Sequence, residues 1–112
     1  MRIIVTGAAG ALGRVVTLKL AEDGWTVLAV DRAETGFAEH ERIQPVGGAD
    51  LIDGEATAAL AQRLKAEGEI AGLVNIAGGF IWETMLDGDP ASWDKMFALN
   101  LKTAMNACRA FA

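Results

Sequence analysis

The sequence contains no tyrosine, one histidine and one cysteine among its 112 residues. The lone Cys108 excludes an internal disulfide and a zinc site built from several cysteines, and it fits a reducing cytoplasm. We expect His40 to lie on the surface, because glutamates flank it in a polar stretch. No metal site is therefore predicted, and the expected location is cytoplasmic.

Long apolar runs and an excess of basic residues are also missing. No hydrophobic stretch approaches the roughly 18 residues of a membrane span, and the N-terminus does not resemble a signal peptide. The net charge of −5 argues against nucleic acid and anionic membranes as partners, since both bind basic surfaces. With 52% hydrophobic residues, the chain is predicted to form one domain over residues 1–112.

Glycine is frequent, and three glycines follow the first predicted strand closely. Residues 2–13 read RIIVTGAAGALG, an apolar run that leads through a glycine loop into a helix pattern. We expect Gly7 to make the tight turn and Gly13 to let the helix approach the strand. Gly10 and Ala11 have little or no side chain, so a pyrophosphate could come close to the free N–H groups of the helix start. An ordinary glycine turn is the alternative interpretation.

Strands and helices alternate along the rest of the chain, which is typical of a parallel α/β sheet. Further strands are predicted over residues 25–30, 42–46 and 70–76, and a second helix over residues 55–67. The first helix is predicted to end at Gly24 and to carry an apolar stripe of Leu12, Val15, Val16, Leu18 and Leu20. The predicted fold is a doubly wound parallel sheet of the Rossmann type, with strand order 3-2-1-4.

A last helix is predicted from about residue 91 towards Ala112. Pro90 precedes it, and Ser92 is expected to be its N-cap. One face of this helix should carry Trp93, Met96, Phe97 and Leu101.

The second predicted strand ends at Asp31, 18 positions after Gly13. A carboxylate at that point can accept both hydroxyls of an adenosine ribose and would repel a 2′-phosphate, which favours NAD over NADP. Arg32 argues the other way, because an arginine there can pair with a 2′-phosphate. A strand-end aspartate that only caps a turn is the alternative.

Four motifs in order resemble the short-chain dehydrogenase/reductase family. Residues 6–13 are similar to its T-G-x-x-x-G-x-G loop, and Asp50-Leu51 resembles its adenine-contacting pair. The third motif, Asn75-Ile76-Ala77-Gly78, is similar to N-N-A-G, and the fourth, Trp93-Asp94 with Asn100-Leu101, resembles the pattern of the next helix.

The resemblance implies a nicotinamide cofactor, a small carbonyl or alcohol substrate and a homo-oligomer. It also implies that Asn100 belongs to a proton relay, although a polar residue that interrupts a helix and binds a water explains Asn100 equally well. The implied cofactor-binding residues are Gly7, Gly10, Ala11, Leu12, Gly13, Asp31, Arg32, Asp50, Leu51, Asn75, Ala77 and Gly78.

Two positions depart from the ordinary family pattern. Ala11 stands where the middle glycine is usual, and the spacing of Gly7, Gly10 and Gly13 also fits the extended branch that includes sugar-nucleotide epimerases. Ile76 replaces the second Asn of N-N-A-G. The glycines that follow Ala77, together with Asn100, favour the ordinary branch.

The family's catalytic Tyr, Lys and Ser lie on the strand and helix that follow Asn100, and this chain has no tyrosine. We therefore expect it to be the cofactor-binding half of a longer oxidoreductase. Two alternatives remain, an NAD-binding module without catalysis and an extended-branch epimerase or dehydratase. The fourth strand is expected to be an open apolar edge, which the rest of a longer chain or another copy would cover.

Overall fold

Four parallel strands with helices on both faces make up the fold. The computed structural model describes residues 1–79 and 88–111, so the predicted helix end at Ala112 lies outside the described residues. The strands are β1 (Arg2–Thr6), β2 (Thr26–Val30), β3 (Ile43–Val46) and β4 (Ile70–Asn75). The helices are α1 (Ala11–Glu22), α2 (Gly54–Ala66), α3 (Pro90–Phe97) and α4 (Thr103–Phe111), with a π-helical turn at Ala98–Lys102 between the last two.

The strand order β3-β2-β1-β4 confirms the predicted doubly wound topology. All pairs are parallel, so every strand ends at the same edge of the sheet. Central β1 pairs Thr6 with Val30 of β2 and with Asn75 of β4. The loops that follow β1, β2 and β4 are thereby brought together at the carboxyl edge, where open α/β sheets bind ligands.

Alternate residues along the strands point to opposite faces of the sheet, and each face has its own hydrophobic core. Ile4, Leu28 and Val46 face α2 and α4, and Leu64 and Phe111 of those helices complete this core. The opposite face of the sheet carries a second core, to which α1 contributes the fully buried Ala21. Because both faces are covered, the central strands are apolar throughout rather than alternating with polar residues.

The predicted apolar stripe of α1 is wrong in part. Leu12 and Val15 are 63% and 66% exposed, whereas the buried positions are Gly13, Thr17 and Ala21. These three residues are four apart, and their small size lets the helix axis lie close to the sheet. The larger Leu12 and Val15 therefore face outward. Gly24 follows the helix at φ +101°, as predicted for a glycine that ends a helix.

The start of the last helix also differs from the prediction. Asp89, and not Ser92, is the N-cap, because its carboxylate accepts the N–H of Ala91 at 2.9 Å and Pro90 takes the first helical position. The stripe predicted on one face is largely exposed in the described structure, with Trp93 at 54%, Phe97 at 53% and Leu101 at 54%.

Candidate functional site

The glycine loop after β1 is shaped by the neighbouring strand end. Gly7 has φ +68°, a region that favours glycine. A Cβ on Gly7 would lie 2.6 Å from the backbone N of Ala77. The buried Thr6 hydroxyl accepts the N–H groups of Ile76 and Ala77 at 3.1 and 3.2 Å. The β1 loop and the end of β4 are thus joined at their closest point.

Gly13 and Gly10 have different surroundings. A Cβ on Gly13 would overlap the carbonyl oxygen of Gly7 and lie 2.8 Å from Cα of Ala8. The close approach predicted for this glycine therefore exists, and it is an approach to the loop that leaves the strand. A Cβ on Gly10 would meet only the Gly7 oxygen within 4 Å, at 3.4 Å. Gly10 leaves space open on the groove side.

The start of α1 lacks the side-chain cap that the starts of α2 and α3 have. Its N-cap is Gly10, which has no side chain to accept the first N–H groups. By contrast, Asp53 caps α2 by accepting the N–H groups of Glu55 and Ala56, and Asp89 caps α3. The first turn of α1 carries no acidic residue either. These free N–H groups and the positive end of the helix dipole suit an anion.

Asp31 stands between this loop and the loop after β2. Its two carboxylate oxygens accept the N–H groups of Ala9 and Ala33, each at 2.9 Å. Each oxygen keeps a second lone pair for another donor. Arg32 is exposed and lines the same groove.

Asp50 and Leu51 border the groove from the loop that follows β3. The Asp50 carboxylate is exposed and accepts the N–H of Ile52 at 3.1 Å, while Leu51 is only 5% exposed and belongs to the core beneath. The carbonyls of Leu51 and Ile52 both accept from the Asn106 amide of α4, at 2.8 and 3.1 Å. Through these two hydrogen bonds, helix α4 holds the backbone of this loop in place.

These residues line two adjoining open grooves that share Gly7, Asp31 and Gly78. The first has a volume of about 260 Å³, and its lining includes Arg32, Asp50, Leu51 and Ala77. The second, of about 450 Å³, follows the glycine loop and is lined by Gly10, Ala11, Leu12 and Gly13. The structure thus brings together every predicted cofactor residue except Asn75.

Asn75 points elsewhere, because its side-chain amide donates to Cys108 Sγ of α4 at 3.3 Å. Gly78 lies against Asn100, whose Oδ1 a Cβ on Gly78 would overlap. Asn100 sits in the π-helical turn and is held on three sides. Its Oδ1 accepts the N–H of Gly79 at 3.1 Å, and its Nδ2 donates to the carbonyls of Gly79 and Met96, both at 3.0 Å.

The amino-acid sequence matches the short chain dehydrogenase family model over residues 1–112. The chain belongs to this family. Probable oxidoreductase EphD of Mycobacterium tuberculosis is 32% identical to it over 117 residues, which cover 97% of this chain and 20% of that protein. Galactitol 2-dehydrogenase (L-tagatose-forming) of Cereibacter sphaeroides is 32% identical over 116 residues, which cover 96% of this chain and 44% of that protein.

Solved structures of short-chain dehydrogenase type share the fold. The ligand-free aldohexose dehydrogenase of Thermoplasma acidophilum superposes with a TM-score of 0.87 at 23% identity, over 97% of this chain and 42% of that one. Serine dehydrogenase of Escherichia coli gives 0.86 at 24% identity, over 99% of this chain and 54% of that one. The chain thus spans about half, or less, of the proteins that it matches.

Sequence reasoning did not indicate several residues that line the grooves, among them two on the last helical segment. Leu99 and Thr103 line the first groove from the π-helical turn and the start of α4. Thr103 is buried and donates to the Leu99 carbonyl at 2.6 Å, so it appears in the sequence as an ordinary helical threonine. No local pattern indicates which turn of a helix will lie beneath a groove.

The described part of the chain contains neither a metal-binding cluster of side chains nor a membrane-spanning helix. No group of three or more His, Cys, Asp or Glu residues there is arranged to hold a metal ion. Within residues 1–79 and 88–111, no helix has the length and apolar character needed to cross a membrane.

Proposed function

We propose that the two adjoining grooves bind NAD and that this chain is the cofactor-binding part of an oxidoreductase acting on a carbonyl/alcohol pair. The observation that carries the proposal is the start of α1, which has no capping side chain and opens onto the second groove, where Asp31 also borders the adjoining first groove with Asp50. Membership of the short-chain dehydrogenases, which generally use NAD(P), and the name of one relative, galactitol 2-dehydrogenase (L-tagatose-forming), support it.

Each part of the cofactor has a matching feature. The pyrophosphate would lie over the glycine loop, on the free N–H groups of α1. The adenosine end would lie between Asp31, Arg32 and Asp50. The nicotinamide end would approach the end of β4, where Ala77 and Gly78 have little or no side chain to block it. The bound nicotinamide would supply hydride exchange with the substrate carbon.

Asp31 is proposed to favour NAD. Its carboxylate would accept the ribose hydroxyls with the lone pairs that Ala9 and Ala33 leave free. A 2′-phosphate would bring negative charge against the same carboxylate, and the exposed Arg32 would offset only part of that repulsion.

The test is calorimetric titration of the whole protein with NAD and with NADP. We expect tighter binding of NAD, by about tenfold or more, because one carboxylate–phosphate repulsion near the surface contributes about 1–4 kcal/mol. The Asp31→Ala variant should have a smaller preference for NAD over NADP than the wild type has. A wild-type ratio that favours NADP would transfer the specificity role to Arg32, and failure to bind either nucleotide would overturn the proposed function.

Asn100 is proposed to act on the site by holding Gly79 rather than through a free amide. Both donor hydrogens and one acceptor lone pair of its side chain are already used by Gly79 and Met96. The predicted relay role of Asn100 stays a prediction from the family resemblance.

The whole protein is further proposed to be a cytoplasmic homo-oligomer. Trp93, Phe97, Leu101 and Met105 recur every fourth residue and are between 43% and 54% exposed in the described structure. A continuous apolar stripe of this kind marks an association surface. Cys108 is exposed and free, as befits a reducing compartment.

A further inference from the structure

We propose that Asp31 is a positioning residue that holds the glycine loop in its phosphate-accepting shape before any cofactor binds. The proposal rests on the proposed function of the groove and adds a second role to the aspartate. Its basis is the 2.9 Å hydrogen bond from the Ala9 N–H to Asp31 Oδ2. This bond joins the loop after β1 to the end of β2, across 22 residues of sequence.

Two successive amides of the loop are tied to the end of β2 in different ways. The Ala8 N–H donates to the backbone carbonyl of Val30 at 3.1 Å, a contact that no substitution of a side chain removes. The next N–H, of Ala9, relies on the side chain of Asp31. Asp31 is itself fixed, because its other oxygen accepts the N–H of Ala33 at 2.9 Å.

The bond controls the part of the loop that meets the phosphates. Between the turn at Gly7 and the helix start at Ala11, the described contacts of the loop backbone are the Ala8 and Ala9 bonds, a turn from the Gly10 N–H to the Gly7 oxygen at 3.2 Å, and the first helical bond, from the Arg14 N–H to the Gly10 carbonyl at 2.9 Å. Without the carboxylate, the Ala9 amide would lose its acceptor and be free to rotate. The following N–H groups would then point in many directions, and the anion would have to order them on binding.

The negative charge of Asp31 and its hydrogen bond to Ala9 have opposite expected effects on the affinity for pyrophosphate, so an experiment can separate them. A carboxylate beside a pyrophosphate repels it, so removing its charge alone should strengthen pyrophosphate binding. Removing the acceptor of Ala9 should weaken that binding. Asp50 provides the matched control, since it borders the first groove together with Asp31 and accepts the N–H of Ile52 rather than an N–H of the glycine loop.

The experiment compares Asp31→Ala with Asp50→Ala in the whole protein, with inorganic pyrophosphate as the probe. Pyrophosphate has neither ribose nor adenine, so the other proposed roles of the two aspartates do not affect the result. Asp50→Ala should bind it as tightly as wild type or more tightly. Asp31→Ala should bind it about fivefold or more weakly than Asp50→Ala, as expected for loss of one hydrogen bond to a charged group. Equal affinities would overturn the inference.

Amide hydrogen exchange gives a second readout that needs no ligand. In wild type and Asp50→Ala, the Ala9 amide should be protected, as should the Ala8 amide. In Asp31→Ala, exchange at Ala9 should accelerate while Ala8 stays protected, which also shows that the variant is folded. An Ala9 amide that already exchanges freely in wild type would overturn the inference without any variant. Normal NAD binding in that case would leave the proposed function intact.

Discussion

At the residue scale, the glycines of the loop after β1 have separate physical reasons for being glycine. Gly7 needs its positive φ and the space beside Ala77, and Gly13 needs the space taken by the Gly7 carbonyl. Gly10 has neither constraint, since its φ of −78° suits any residue and its Cβ would make only an ordinary contact with the Gly7 oxygen, at 3.4 Å. The space at Gly10 is therefore available to a ligand.

Paired alanine substitutions should separate these reasons. Gly13→Ala should lower the free energy of unfolding by about 2 kcal/mol or more, because its Cβ overlaps backbone that cannot move freely. Gly10→Ala should change that free energy by less than about 1 kcal/mol, while its methyl group reduces NAD affinity in calorimetry. Unchanged NAD affinity in Gly10→Ala would show that the pyrophosphate does not approach there.

At the element scale, helix α1 packs through small residues and buries one polar group without a partner. Thr17 is fully buried, and its hydroxyl has no hydrogen-bond partner in the described structure. Thr57 of α2 is equally buried, but its hydroxyl donates to the Asp53 carbonyl at 2.8 Å. The two helices thus provide a matched pair of threonines.

Valine at each position removes the hydroxyl and keeps the shape. Thr17→Val should raise the free energy of unfolding by about 1 kcal/mol. Burial of the Thr17 hydroxyl removes its hydrogen bonds to water, and no hydrogen bond within the folded protein replaces them. Thr57→Val should lower it by about 1 kcal/mol, since a hydrogen bond is lost. Urea unfolding of the whole protein measures both. Destabilisation by Thr17→Val equal to that of Thr57→Val would mean that the Thr17 hydroxyl has a partner.

The exposed stripe on α3 and α4 is also a property of these elements. If it joins copies of the protein, Phe97→Glu should reduce the molar mass measured by light scattering, because burying a charge opposite apolar residues is costly. Lys95→Glu is the control, since Lys95 is exposed and lies two residues before Phe97, on the opposite side of the helix. An unchanged mass in Phe97→Glu would exclude the stripe as the contact.

At the scale of the whole molecule, the chain has the groove proposed to bind a nucleotide but no tyrosine to serve as the family's acid/base. We expect the 112-residue polypeptide to show no turnover of NADH with carbonyl compounds, because hydride transfer needs a proton donor within hydrogen-bond reach of the substrate oxygen. His40 does not serve, since its Nδ1 accepts the Arg42 N–H and it lines neither groove.

The assay measures NADH oxidation by this polypeptide beside the whole protein. A cooperative thermal transition in circular dichroism verifies that the polypeptide is folded during the assay. Turnover above the buffer rate would contradict the expectation and require an acid/base among the present residues.

The sequence alone predicted the features that depend on local order. The apolar runs of β1 and β2, the glycine loop and the alternation of strand and helix predicted a parallel sheet, and its order 3-2-1-4 is confirmed. The same order placed Gly7, Asp31 and Gly78 at one edge, because parallel strands end on the same side. These inferences hold because periodicity and glycine geometry act over a few residues.

Only the tertiary structure decided which side chains face which neighbour. The small Gly13, Thr17 and Ala21 bring α1 close to the sheet, which turns Leu12 outward against its hydrophobic pattern. Asn75 turns to Cys108 on a helix more than 30 residues away, and Asp31 accepts the distant Ala9 amide. Such contacts depend on the distance and angle between packed elements, and a one-dimensional pattern carries no information on either.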